Sequence, residues 1–255
     1  MKRRARRPPR PGPRPAGGPS AAPEVIYGRN AVLEAARAGR VRRLLIAPGL
    51  GADPRLDELK ALVPDLVEIP AERLEILAGG VHQGVAAELK PRRTWTLKDL
   101  LEEQPTLLVA LDGVQDPQNL GAILRSAEAA GADGAILPER RSAPLSSAAV
   151  KASSGASELL RICRVPGLPS TLSDLKRAGI WCAGLDPHGD QLPWEFDLTQ
   201  PVCLVIGGEG PGLHRLVRER CDVRLRLPME GRVESLNASA AAAALLYEVV
   251  RQRSR

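Results

Sequence analysis

The alternation of apolar and polar residues predicts two successive α/β units. In the first unit, helical spacing over 29–38, 53–63 and 71–78 alternates with apolar strands at 41–48, 66–70 and 84–89. In the second unit, buried strands are predicted at 106–113, 134–138, 159–166, 179–185, 201–209 and 223–228. Helices are predicted between these strands at 119–130, 146–152, 170–178 and 213–219, and a last helix follows. This order favours a mostly parallel sheet with helices on both faces.

The pattern divides the chain into four parts. Residues 1–23 are predicted to be a disordered basic tail, 24–90 a small α/β domain, 91–105 a linker with one short helix, and 106–255 a larger α/β domain. The tail begins MKRRARRPPRPGPRP, with seven lysines and arginines and no acid, whereas the net charge of the whole chain is +6. We expect this tail to attract phosphate backbones, and a merely solubilising role is the alternative.

Composition excludes several classes of function. Aromatic residues make up 2% of the chain, so base stacking on aromatic side chains should not dominate a nucleic-acid contact. No apolar run reaches the length of a membrane span, and no apolar segment follows the basic N-terminus to make a signal peptide. The four cysteines form no Cys-x-x-Cys pair and the three histidines complete no cluster, which predicts reduced thiols in a cytoplasmic protein without zinc.

Three segments of the second unit each run from a buried strand through a polar loop into a helix. They are LDGVQDPQNLGAILR (111–125), LVIGGEGPGL (204–213) and LPMEGRVESLNAS (227–239). Because ligands of open α/β sheets bind at the carboxyl ends of strands, the three loops are expected to build one pocket. The glycines of 207–212 would let the backbone approach a ligand beside the Glu209 carboxylate, and a glycine-rich turn without a ligand is the alternative. The G-x-G-x-x-G fingerprint and a Walker lysine are missing, which disfavours a dinucleotide or triphosphate site.

Two polar residues of the first segment face different ways on the predicted helix. Asn119 and Arg125 are six residues apart, which places them about 240° apart around the helix axis. Asn119 suits the N-cap, whereas Arg125 would serve a neighbouring surface. Alternatively, Asp112, Asp116 and Glu128 could neutralise Arg125 in ordinary ion pairs.

Two stretches rich in small residues have different interpretations. SLNASAAAAALLYEV (235–249) predicts an alanine-rich helix with Asn or Ser as its N-cap, and its small side chains indicate an unusually close neighbour. SSAAVKASSGAS (146–157) lacks the S-x-x-K and G-x-S-x-G patterns of nucleophilic serines, so it is interpreted as helix and loop lining.

Taken together, these motifs resemble the SpoU (TrmH-type) RNA ribose 2′-O-methyltransferases. DPQNLGAILRSAEAAG, VIGGEGPGL and LPMEGRVESLNASAAAAALLYE stand in the order of the family's three motifs. YGRNAVLEA and VHQGVAAEL are similar to the leading RNA-binding domain of RlmB-like members. The resemblance covers roughly residues 24–253. It implies a SPOUT-type α/β methyltransferase domain with a C-terminal trefoil knot, preceded by a small α/β RNA-binding domain, in a homodimer.

The resemblance also implies a cofactor and a set of site residues. The cofactor is S-adenosylmethionine, with no metal, and the reaction is methylation of a ribose 2′-hydroxyl in RNA. By the match of motifs, the catalytic residues are Asn119, Arg125, Glu209, Ser235 and Asn237, and the cofactor is bound by Gly207, Gly208, Leu227, Met229 and Leu236. Since an arginine stays protonated, we expect Arg125 to act as a fixed cation rather than as a base.

The substrate implied by the resemblance is ribosomal RNA of the large subunit, at a guanosine of 23S rRNA, with no role for a membrane. Alternatives are a ribose of another rRNA or of a tRNA, or an RNA-binding protein that keeps the fold without catalysis. All five polar positions carry the expected residue types, which favours the enzyme.

Overall fold

The computed structural model describes residues 25–78, 81–91, 95–210, 212–233 and 235–254. The predicted basic tail therefore lies outside the described residues. The first unit contains β1 (Val25–Tyr27), α1 (Arg29–Arg37), β2 (Val41–Ile46), α2 (Pro54–Leu62), β3 (Leu66–Glu68), α3 (Ala71–Ala78) and β4 (Val85–Leu89). Its sheet has the order β1-β4-β2-β3, with β4 antiparallel to both neighbours. The strand β1 was not predicted, and this sheet is mixed rather than mostly parallel.

The second unit is built on a wholly parallel sheet, as the strand–helix alternation predicted. Its elements are α4 (Leu97–Glu102), β5 (Leu107–Asp112), α5 (Pro117–Ala129), β6 (Gly134–Pro138), α6 (Ser147–Ala152), α7 (Ala156–Leu159), β7 (Arg161–Val165), α8 (Leu168–Arg177), β8 (Trp181–Leu185), β9 (Val202–Gly207), α9 (Arg215–Arg218), β10 (Val223–Leu225) and α10 (Ala238–Arg253). The strand order is β10-β8-β9-β5-β6-β7. The strands β9 and β5 lie at its centre, so the loops that follow them meet at one edge.

Alternate residues of the central strands pack into two separate cores. Leu107, Val109 and Leu111 of β5 join the core formed with α5 and α10. Leu108 and Ala110 of the same strand join the core formed with α4, α8 and α9. Because a strand directs successive side chains to opposite faces, β5 is apolar throughout and helices cover both faces of the sheet.

Residues of the predicted linker belong structurally to the second sheet. Trp95 forms a parallel bridge to Cys163 of β7, and Leu100 of α4 is completely buried in the second core. A capping box between Thr96 and Asp99 opens α4, which confirms the predicted short helix. The boundaries predicted between the domains stay predictions.

The cysteines are free thiols, and most of them are buried in the strands. Burial raises the pKa of Cys163 to about 11 and that of Cys182 to about 12, so both thiols stay protonated near neutral pH. No group of three or more His, Cys, Asp or Glu side chains within the described ranges could hold a metal ion. No helix among them is long and apolar enough to cross a membrane.

The serine-rich stretch joins the two units. It forms α6 and α7, as its interpretation as helix and loop predicted. Val150 of α6 lies in the core of the first unit, and the Glu158 side chain of α7 makes a 3.0 Å ion pair with Arg40 of that unit. Lys151 Nζ donates to the Val81 carbonyl at 3.2 Å and lies over the Tyr27 ring. The contact between the two units therefore combines apolar packing with an ion pair.

The helices α5 and α6 approach each other closely at Gly121. A Cβ atom at this position would lie 2.4 Å from Ala152 Cβ and 2.5 Å from the Ala149 carbonyl oxygen. Because backbone atoms are involved, a rotamer change alone cannot relieve the overlap. Gly121 thus lets α5 lie against the helix that carries the domain junction.

We therefore predict that Gly121→Ala destabilises the protein by about 1–3 kcal/mol through overpacking, even though alanine is the better helix former. Urea denaturation would measure the change. Gly51→Ala is the matched control, because a Cβ atom there meets nothing within 4 Å. Equal stability of the two variants would contradict the close packing of α5 on α6.

Candidate active site

The glycine-rich loop after β9 folds back tightly on itself and on the loop after β5. Gly208 forms an antiparallel bridge with Gly212. A Cβ atom on Gly207 would lie 2.3 Å from the Gly212 carbonyl carbon, and one on Gly208 would lie 2.2 Å from the Gly113 carbonyl oxygen. These glycines were predicted to let the backbone approach a ligand. The structure shows that Gly207 and Gly208 are first required for backbone to pack on backbone.

A buried aspartate fixes this loop to the central strand. Asp112, at the end of β5, is 6% exposed. Its Oδ2 accepts a hydrogen bond from the His214 backbone N–H at 2.7 Å, and its Oδ1 lies 3.0 Å from His214 Nδ1. No role was predicted for His214. Because a buried carboxylate at the end of a strand needs a hydrogen-bond donor, Asp112 itself indicated that such a donor must lie nearby.

The ion pairs considered as an alternative role for Arg125 are not formed with the acids that the structure describes. Asp112 is engaged by His214, and Asp116 is the N-cap of α5, accepting from the backbone N–H groups of Gln118 and Asn119. Asn119 is therefore not the helix cap that the sequence suggested but lies in the first turn. Arg125 is exposed and makes no ion pair with any residue that the structure describes.

Three of the predicted catalytic residues form one hydrogen-bonded network. Asn119 Nδ2 donates to Glu209 Oε1 at 2.5 Å. Asn237 Nδ2 donates to Asn119 Oδ1 at 3.0 Å and lies 3.3 Å from Glu209 Oε1. Asn237 is also the N-cap of α10, since its Oδ1 accepts from the backbone N–H groups of Ser239 and Ala240. The network thus joins α5, the glycine-rich loop and α10.

A cavity of about 370 Å³ opens beside this network. All five residues predicted to bind the cofactor line it: Gly207, Gly208, Leu227, Met229 and Leu236. Glu209, Ser235 and Asn237 line it as well, whereas Asn119 and Arg125 do not. Three further lining residues at the end of β8 were not predicted. They are Leu185, Asp186 and Pro187.

The described lining of the cavity is apolar and acidic. It contains the carboxylates of Asp186 and Glu209 and no lysine, arginine or histidine. Asp186 is 2% exposed and makes a 2.9 Å ion pair with Arg218, a residue outside the lining. Such a surface suits a neutral or cationic ligand with apolar parts and disfavours a phosphate.

Comparison with known proteins decides the family. Residues 106–247 match the model of the SpoU rRNA Methylase family, and residues 25–95 match the model described as RNA 2′-O ribose methyltransferase substrate binding. The 23S rRNA (guanosine-2′-O-)-methyltransferase RlmB of Pseudomonas putida is 43% identical over 242 residues, covering 90% of this chain and 97% of the relative. The chain belongs to the SpoU rRNA methylase family.

Solved structures of SpoU-type enzymes share the fold. The SpoU methyltransferase AviRb from Streptomyces viridochromogenes, in complex with AdoMet, has a TM-score of 0.74 at 31% identity, covering 90% of each chain. The AdoMet-bound rRNA methyltransferase from Sinorhizobium meliloti has a TM-score of 0.73 at 26% identity, covering 89% of this chain and 87% of the other. The α/β fold class, the order of the two domains and the enzyme class predicted from the sequence are thereby confirmed.

We predict that the two functions of Asn237 in this SpoU member can be separated. Asn237→Ala loses the helix cap and should destabilise the protein by about 1 kcal/mol. Asn237→Ser should recover most of that loss, because serine also caps, yet it cannot donate to Asn119 and Glu209 as the amide does. Urea denaturation of the three proteins tests this, and Ser and Ala variants of equal stability would show that capping is not what Asn237 contributes.

Proposed function

We propose that this enzyme transfers a methyl group from S-adenosylmethionine to the 2′-hydroxyl of a guanosine in 23S ribosomal RNA, in the cytoplasm. The substrate is taken from the relative in Pseudomonas putida, which is a 23S rRNA (guanosine-2′-O-)-methyltransferase. The enzyme class follows from the family, and the cofactor follows from the AdoMet-bound structures of similar enzymes. The observation in this chain that carries the proposal is the apolar cavity with two carboxylates and no basic residue in its described lining.

The residues present fit the cofactor. S-Adenosylmethionine carries a sulfonium cation and no phosphate, and it supplies an electrophilic methyl group when bound. Leu227, Met229 and Leu236 give the cavity apolar walls. Glu209 adds a carboxylate that is not ion-paired with any described residue, whereas the charge of Asp186 is paired with Arg218. A dinucleotide would place two phosphates in the same acidic surroundings, so this alternative is disfavoured on electrostatic grounds as well as by its missing fingerprint.

The network around Glu209 is suited to holding the target ribose. Glu209 Oε1 accepts from the two asparagine side chains, whereas its Oε2 makes no hydrogen bond to any described residue. Oε2 is therefore available to a ribose hydroxyl. Asn119 and Asn237 fix the carboxylate in position, and Ser235 adds a hydroxyl at the cavity wall. Such preorganisation is the contribution we assign to these residues.

Arg125 is proposed to act in the site of a partner subunit. It lies on α5 away from the cavity of its own chain, and six residues of helix separate it from Asn119. A homodimer that sets α5 of one subunit beside the cavity of the other would bring a fixed cation to the ribose and its phosphate. There it would stabilise the negative charge that develops on the attacking oxygen.

We propose the trefoil knot from the resemblance to the family, and the end of α10 is itself held by several hydrogen bonds. Gln252 Nε2 donates to the carbonyls of Pro193 and Phe196, and Gln252 Oε1 accepts from the Leu198 backbone N–H. The connection between β8 and β9 thus holds the end of α10.

Tight packing around this helix also suits its alanines, although Ala240 and Ala244 are exposed in the single chain and only Ala242 is completely buried.

We predict that Ala241→Leu blocks the cofactor site. Ala241 lines the cavity from α10, so a leucine would occupy space that the ligand needs. Calorimetry should show at least a tenfold loss of S-adenosylmethionine affinity, about 1.4 kcal/mol. Ala129→Leu, at an exposed position of α5, is the control and should bind normally. Unchanged affinity in Ala241→Leu, or binding of NAD by the wild type, would contradict this assignment of the cavity.

We predict that Arg125→Ala abolishes methyl transfer to an rRNA fragment while leaving cofactor affinity nearly unchanged. Arg125→Lys keeps the charge but loses the planar fork, so it should retain a small part of the rate. Arg177→Ala, an exposed arginine at the opposite edge of the sheet, should be fully active. Full activity of folded Arg125→Ala would favour the non-catalytic alternative for this residue.

Mixing Arg125→Ala with Ala241→Leu tests the shared site, at a cofactor concentration too low for Ala241→Leu to be active alone. If each site combines Arg125 of one subunit with the cavity of the other, a heterodimer of Arg125→Ala with Ala241→Leu has one intact site and one site that carries both substitutions. Random mixing should then restore about a quarter of the wild-type activity. No recovery after verified subunit exchange would place Arg125 and the cavity of one chain in the same site.

A further inference from the structure

Two adjacent arginines follow β6, at the edge of the sheet on which the cavity opens. Arg140 and Arg141 come two and three residues after the end of β6, which is the neighbour of β5 in the sheet. Both side chains are exposed, and within the described ranges neither makes a hydrogen bond or an ion pair. They therefore add unneutralised positive charge to the edge of the sheet on which the cavity opens.

The loop that carries them is fixed at both ends. The Glu139 backbone N–H donates to the Val165 carbonyl at 2.8 Å, and the Ala143 backbone N–H donates to the Val114 carbonyl at 2.8 Å. Val114 lies between Asp112 and Asp116, in the loop that leads to Asn119. The bond from Ala143, a residue only 2% exposed, therefore holds the arginine loop directly beside the segment that forms the site.

The backbone of this loop is unusual. Arg141 has a φ of 59°, in the left-handed region that residues other than glycine seldom adopt. Such conformations persist only where the surrounding structure holds them, and they concentrate at functional sites. The two anchors on Val114 and Val165 provide that constraint.

Among the described residues, no acid at this edge forms an ion pair with Arg140 or Arg141. Asp112 is engaged by His214, and Asp116 caps α5. Glu139 is exposed next to the arginines, but one carboxylate leaves the pair with an excess positive charge. A polyanion that approaches this edge would meet this charge without displacing an ion pair.

The arginine loop also leads towards the first unit. The helix α6 begins at Ser147 and spans six residues, about 9 Å. Near its end, Lys151 contacts the Val81 carbonyl of the unit matched by the substrate-binding model. The chain thus runs from Arg140 and Arg141 through α6 to a contact with that unit.

We propose that Arg140 and Arg141 clamp the phosphate groups of the RNA strand next to the target nucleotide. This inference rests on the proposed function and deepens it, because it assigns the two residues to substrate binding and not to methyl transfer. A guanidinium group matches a phosphate with two parallel hydrogen bonds, and a fixed loop reduces the entropy lost on binding.

The double variant Arg140→Ala/Arg141→Ala tests the clamp. Affinity for an rRNA fragment is measured over a range of salt concentrations, together with KM for RNA, cofactor affinity and melting temperature. The salt dependence of log K should become shallower by about 1.4 to 2, corresponding to two lost phosphate contacts, and KM for RNA should rise at least about tenfold. Arg140→Lys/Arg141→Lys should restore the salt slope, because the charges return.

Arg177→Ala/Arg220→Ala removes the same charge from the opposite edge of the sheet and is the matched control. An unchanged salt slope and KM in the alanine double variant would overturn the clamp, and so would an equal loss in the control. A loss of cofactor affinity or of melting temperature that accounts for the defect would also overturn it. Failure of the wild type to methylate RNA would instead refute the proposed function.

Discussion

The side chain of Asn237 connects parts of the chain that are far apart in sequence. Its side-chain oxygen caps α10 by accepting hydrogen bonds from free backbone N–H groups at the start of the helix. Its side-chain nitrogen donates to Asn119 and lies within reach of Glu209. An aspartate could cap the helix equally well, but it would place a second carboxylate beside Glu209. A serine could cap it but would not reach both partners. Helix capping and the geometry of the site thus restrict this position to asparagine.

Close backbone contact is the second constraint on the site. Gly207 and Gly208 allow the loop after β9 to fold against itself and against Gly113, and the Asp112–His214 pair fixes it there. With these contacts made, Glu209 lies at the cavity wall with one carboxylate oxygen held by two asparagines. The packing of the loops on each other therefore forms the cavity, and a cavity held in this way lowers the entropic cost of binding.

Strand order explains which parts of the site could be predicted from the sequence. The apolar runs identified the strands of the second sheet. The second and third loop motifs contain most of the cavity lining, whereas no residue of the first motif lines it. Asp186 was missed because its position depends on β8 lying next to β9, and local sequence does not encode that neighbour. The short strand β1 was missed because three residues carry too little periodicity. Asn119 was assigned to the cap because it precedes the apolar run, although Asp116, before Pro117, is the actual cap.

The distribution of charge is consistent with two ligands of opposite sign. Inside the cavity, Asp186 and Glu209 are negative, and the basic partner of Asp186 lies outside the lining. Outside the cavity, Arg125, Arg140 and Arg141 are exposed and lack ion pairs with the described residues. A sulfonium is attracted to the first region, and an RNA backbone to the second. Under the proposed function, phosphates are thereby disfavoured in the cavity while the ribose between them can still approach it, so the separation of charge contributes to specificity before any base is recognised.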